Sequence, residues 1–204
     1  EQTEQVLVAV PIGLKEGSGD RMCDKLARAV LGSRGGAVVE PPVREATRKR
    51  RYPAARRTTE RIADRALPRQ TFKISEPVAA VDDLLRNVPA ARAVFAEAHP
   101  EVCLCAFADG PPQYPTQTAG GYAERMRALA SFDTDAPPTV QRVAESVGGT
   151  GLPVGDVLDA VALAYTARPG PGRLRSLPPD PPRDPKGLPM GSHYRAVDPL
   201  ETAV

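Results

Sequence analysis

The sequence predicts an α/β fold, a sheet flanked by helices in one domain, and three observations carry that expectation. Residues 6–10, VLVAV, form a β-branched run stopped at once by Pro11 and Gly13, as in a buried strand leaving a sheet. Residues 94–98 form a second short apolar run, closed by His99 and Pro100. Amphipathic helical stretches lie between and after them, the best defined at residues 153–168. The chain has 204 residues, enough for one sizeable core and short for two. With 4% aromatic residues and no Trp, that core must be aliphatic.

The first strand begins almost at residue 1, with no initiator Met, so further N-terminal strands are expected upstream. Residues 20–31 predict a helix: Met22, Cys23, Leu26, Ala27 and Val30 recur at helical spacing. Ser18 or Asp20 is its expected N-cap, and Gly32 its stop. Residues 58–67 and 76–86 predict two more helices, and residues 94–107 a strand, a polar turn and a second apolar run. Helices follow at 120–130 and 136–147, the latter with prolines in its first turn and glycines at its end. Domain organisation is therefore a single domain over residues 1–168, with a basic insertion at about 44–73. A proline-rich segment, residues 169–204, is expected to wrap it in extended form.

Charge is nearly balanced, at +2, but unevenly spread. Residues 44–73 hold eleven basic side chains against three acids. Arg48, Lys49, Arg50, Arg51, Arg56 and Arg57 are its densest part, either a solvated face or a phosphate-facing patch for DNA or RNA. Three cysteines do not make a secreted disulfide framework, and no apolar stretch is long enough to span a bilayer. A cytoplasmic protein with no membrane partner is the expectation.

Candidate chemistry gathers at two places. Glu97, His99 and Glu101 alternate at the exit of the second strand, where open α/β sheets place their chemistry. Asp156 and Asp159 lie three residues apart near the start of the last helix. Acids there complement the helix dipole, and they also suit a divalent ion, which takes oxygen ligands. Phosphate-binding glycine loops are absent, and two isolated histidines do not make a zinc site.

In order along the chain, VAVPIGL (8–14), RMCDKLARAVLGSR (21–34), PPVR (41–44), EAHPEVC (97–103), GDVLDAVALAYTAR (155–168) and GLPMGSHY (187–194) resemble the family of domains of unknown function DUF429, predicted RNase H-like nucleases. That resemblance implies an RNase H-like mixed sheet flanked by helices and two-metal phosphodiester hydrolysis. It implies a site built from Glu97, His99, Glu101, Asp156 and Asp159, with Glu97, Asp156 and Asp159 as metal ligands. The chain departs from the pattern in three respects. The Asp of the family's first strand has no counterpart, Ala9 stands where the DIPIGL-like motif has its Asp, and Gly155 precedes Asp156 where a pair of Asp is common. The expectation is thus a DUF429 protein with impaired or lost catalysis and at most one weakly held Mg²⁺ or Mn²⁺. The alternative is a non-catalytic module that binds nucleic acid or protein through the basic segment.

Overall fold

The computed structural model of the chain describes residues 5–108 and 110–201. Its elements run β1 (Val6–Val8), α1 (Met22–Leu31), a 3₁₀ turn (Gly32–Ala37), α2 (Arg44–Thr47), α3 (Tyr52–Ala63), α4 (Arg69–Lys73) and α5 (Ser75–Asn87). After them come α6 (Pro89–Val94), β2 (Phe95–Glu97), α7 (Pro100–Ala108), α8 (Ala119–Phe132), α9 (Ala136–Ser146), α10 (Val154–Ala167), β3 (Arg173–Leu177) and β4 (Ser192–Ala196). The architecture is mixed α/β with helices dominant. No helix among the described residues is long and apolar enough to cross a membrane.

The two strands expected from the sequence pair side by side. β1 and β2 are parallel, with Leu7 opposite Ala96 and Val8 opposite Glu97. Both are shorter than their apolar runs, because Pro11 and Pro100 withdraw N–H donors just beyond their ends. β3 and β4 form an antiparallel ladder, and a single parallel bridge between Ala98 and His193 ties the two ladders edge to edge.

Three local expectations need correction. The proline-rich tail does not simply wrap the domain as extended chain. It carries β3 and β4, whose Leu177 and Tyr194 are buried against Leu26, Leu31 and Val102. Prolines crowd the connection between these strands, where missing N–H groups break no ladder. The helix expected at 58–67 lies earlier, at α3: Pro53 fits its first turn, and Asp64, left-handed at φ 50°, ends it. Helix α1 likewise starts at Met22, with no side-chain cap from Ser18 or Asp20, and Met22 is exposed.

The apolar run after β2 is helical, with Cys103 and Cys105 both buried. Helix α10 lies at the centre, packed on β1, α7, α8 and α9 through Val157, Leu158, Val161 and Tyr165. Burying each such side chain stabilises the fold by roughly 1.5–3 kcal/mol. That outweighs the weak helix propensity of the valines. A second close approach holds the C-terminal loop: Gly13 has φ 72°, and a Cβ there would stand 2.7 Å from the Pro189 carbonyl.

Candidate functional site

β1 and β2 end together, and the crevice beyond their carboxyl ends is a cavity of about 610 Å³. Ala9 and Val10 enter it from β1, and Glu97, His99 and Glu101 from β2 and the first turn of α7. Asp159 reaches it from α10, Arg21 and Asp24 from α1, and Arg34 from the 3₁₀ turn. Four of the five residues expected for the site therefore share one cleft. Asp156 does not join them: it is exposed on the first turn of α10, outside the cleft lining.

Glu97 is fully committed. Arg21 Nη1 donates to its Oε2 at 2.8 Å and Nη2 to its Oε1 at 2.8 Å, while the Ile12 N–H donates to Oε2 at 2.7 Å. The same guanidinium donates through Nε and Nη2 to Asp24 at 2.9 and 2.6 Å, and through Nη1 to the Ile12 carbonyl at 3.0 Å. Arg21 is 2% exposed, so this fork is locked inside the protein. Burial alone would lower its pKa, but Glu97 and Asp24 outweigh burial and hold it above its ordinary value. Burial pushes the Glu97 carboxyl up, with the Arg21 charge and the Ile12 N–H pulling the other way.

Cys23, Asp24 and Glu97 bring possible ligand atoms within 4.8 Å of one another. The fit to a metal is poor, because Arg21 already donates to both carboxylates and burial pushes the Cys23 thiol up, away from the thiolate that binds metals. No comparable three-residue group contains Glu97, Asp156 and Asp159 among the described residues. A two-metal pair does not fit these side chains. Restoring a residue at Gly155 also meets an obstacle, since a Cβ there would lie 2.7 Å from Thr116 Cγ2 of the loop that closes the cleft.

The other end of the cleft is different. Arg34 Nη2 and Arg125 Nη2 both donate to Glu101 Oε1 at 2.8 Å, and Glu101 Oε2 is buried with no partner. Asp159 accepts no hydrogen bond from any described residue, and its Oδ1 is buried and bare. Burial, with Glu101 and Asp156 adding to it and Arg125 opposing, pushes its carboxyl up to about 6. Burial pushes His99 down and keeps it neutral; its Nε2 lies 3.4 Å from the Ala37 carbonyl, and its Nδ1 has no partner.

Arg21, Asp24, Arg34 and Arg125 were not picked out as site residues from the sequence. A signal existed for three of them. Arg21 and Asp24 stand three apart at a helix start, and Arg125 sits four before Leu129 on the apolar stripe of α8, where a charge demands a buried partner.

The basic segment is partly consumed by the fold. Arg44 is buried between Asp82, at 3.1 Å, and Asp184. Arg48 pairs with Asp82 and Asp83, Lys49 with Glu45 at 3.5 Å, and Arg56 with Glu60 at 2.7 Å. Arg50, Arg51 and Arg57 are exposed and make no ion pair among the described residues.

Among protein families, one described as a protein of unknown function, DUF429, matches residues 1–183. No curated protein and no solved structure matches the chain.

Proposed function

The chain belongs to the DUF429 family, and from that premise we propose that it is a non-hydrolytic relative of RNase H-like nucleases that binds nucleic acid without base specificity. One observation carries the loss of hydrolysis: Arg21 occupies the oxygens of Glu97 that a divalent ion would need. A guanidinium cannot be deprotonated at accessible pH, and it supplies neither a bound water nor an open coordination position. Ala9 adds no ligand, and Asp156 stands outside the cleft. Two-metal hydrolysis needs ions roughly 3.5–4 Å apart, bridged by carboxylates this cleft does not assemble.

Nucleic-acid contact falls to Arg50, Arg51 and Arg57, the cations of the segment's densest stretch without acidic partners. Three phosphate contacts on a single strand give a slope of roughly −2 for log affinity against log salt. The test is fluorescence anisotropy of mixed-sequence single-stranded DNA and RNA across a salt series. The protein should bind with that slope, and changing Arg50, Arg51 and Arg57 together to Ser should flatten it. Binding that survives the triple change would reject the patch. Mn²⁺-dependent cleavage by the unaltered chain, lost in Glu97→Gln, would reject the non-hydrolytic reading. A hydrolytic reading draws on one observation of its own, the Asp159 carboxyl held at about 6 within the cleft.

A further inference from the structure

Charge in the cleft does not close. Arg21, Arg34 and Arg125 supply three guanidiniums to four carboxylates, Asp24, Glu97, Glu101 and Asp159. Arg34 and Arg125 both donate to Glu101, so Asp159 is left as the acid that accepts no hydrogen bond from a described residue. In the lining of the same cleft, Glu101 Oε2 and Ser192 Oγ are buried and unpartnered, in residues only 7% and 3% exposed. Groups of this kind are stabilised only when something supplies donors to them.

We propose that this end of the cleft binds a primary ammonium group, with Asp159 as its counter-ion and Glu101 Oε2 and Ser192 Oγ as further acceptors. An ammonium carries one positive charge and three rotatable donors, which suits a cleft one cation short overall and three bare acceptors, Asp159 Oδ1, Glu101 Oε2 and Ser192 Oγ. A divalent ion matches less well. It would overshoot the single missing charge, and hard cations take six or more oxygens. The three-residue ligand group that the described residues do form is the one Arg21 fills. An anion would face Asp159 directly. The cleft lining also holds the aliphatic Val38, Val39 and Ile74, which suit the alkyl part of a small amine. At about 610 Å³ the cleft lies within the size range of small-molecule sites, roughly 300–1,000 Å³.

This site stands apart from the nucleic-acid reading: its failure would leave salt-dependent binding through Arg50, Arg51 and Arg57 untouched. The test is a titration of the full chain with n-butylammonium chloride at pH 8, followed by ligand-observed NMR. n-Butanol serves as the uncharged control, and MnCl₂ is titrated separately by calorimetry. Saturable butylammonium binding is expected, roughly 10- to 100-fold weaker in Asp159→Asn and unchanged in Asp156→Asn, with no binding of butanol. Asp159→Asn is isosteric and removes an unpaired charge, and a thermal melt reports whether it folds. Butylammonium binding that is absent, or equal in the protein and in Asp159→Asn, overturns the proposal. Mn²⁺ binding that is lost in Asp159→Asn and not displaced by butylammonium also overturns it.

Discussion

Two carboxylates four residues apart, Glu97 and Glu101, sit on the same cleft and have opposite fates. At the Glu97 end one guanidinium meets two acids in a fork, and both oxygens of Glu97 accept hydrogen bonds. At the Glu101 end two guanidiniums converge on a single oxygen, leaving Oε2 bare and Asp159 without a donor. The first end is saturated, so any further ligand must displace a buried hydrogen-bonded pair. The second is unsaturated, and its polar groups are satisfied only by something that enters. Glu97 and Glu101 are about equally buried, at 9% and 7% exposed. What separates them is donor placement: Arg21 reaches both oxygens of Glu97, whereas Arg34 and Arg125 both reach only Oε1 of Glu101. A cluster of acids in a cleft therefore says little about function until its donors are counted.

The sharpest way to break this contrast is to remove the saturated end's cation. Arg21→Met leaves Glu97 and Asp24 buried and unpaired, and should destabilise the protein by about 3–5 kcal/mol. Urea unfolding at pH 7.5 checks this. A loss under 1 kcal/mol would mean that the fork is not the clamp described above.

The unsaturated end should respond with the opposite sign. Asp159 has a carboxyl at about 6 in the folded protein, above its ordinary 3.8, so between those values the folded state holds a proton that the unfolded chain has lost. Its effect on stability is therefore unfavourable at neutral pH and disappears as pH falls below about 4. Asp159→Asn should raise stability by about 1–2 kcal/mol at pH 7–8, after allowance for its partial exposure. The gain should vanish near pH 4. Denaturation midpoints across pH 4–8 for both proteins give the comparison. In the variant, the remaining decline below pH 6.5 includes His99, which burial holds neutral in the folded state but which protonates once unfolded.

The smallest effect belongs to Asp156, three residues earlier on the same helix but exposed on its first turn. Asp156→Asn loses a favourable interaction with the helix dipole, a loss of roughly 0.3–0.5 kcal/mol, partly offset by relief of its repulsion with Asp159. A larger cost, or loss of ligand binding, would place Asp156 in the site after all.

What the sequence determined by itself was periodic and local. The parallel strands at residues 6–8 and 95–97 followed from apolar runs cut off by proline, and helix α10 from an uninterrupted apolar stripe. That Glu97, His99 and Glu101 line one cleft was legible from their place at the carboxyl end of a strand, whereas Asp159, on α10, was grouped with them only through the family resemblance. The tail's strands were not legible. Arg173–Leu177 lacks an apolar alternation, and its pairing with Ser192–Ala196 spans a proline-rich connection that reads as extended chain. Tertiary structure alone decided which charges cancel. Arg48 meets Asp82, Arg21 meets Glu97, and Arg125 meets Glu101 across separations of 34, 76 and 24 residues. Ion pairing depends on distances of a few ångströms between side-chain atoms, and no spacing rule along the chain encodes those. Which acid was left without a partner, and so free for a ligand, was settled only when the elements packed.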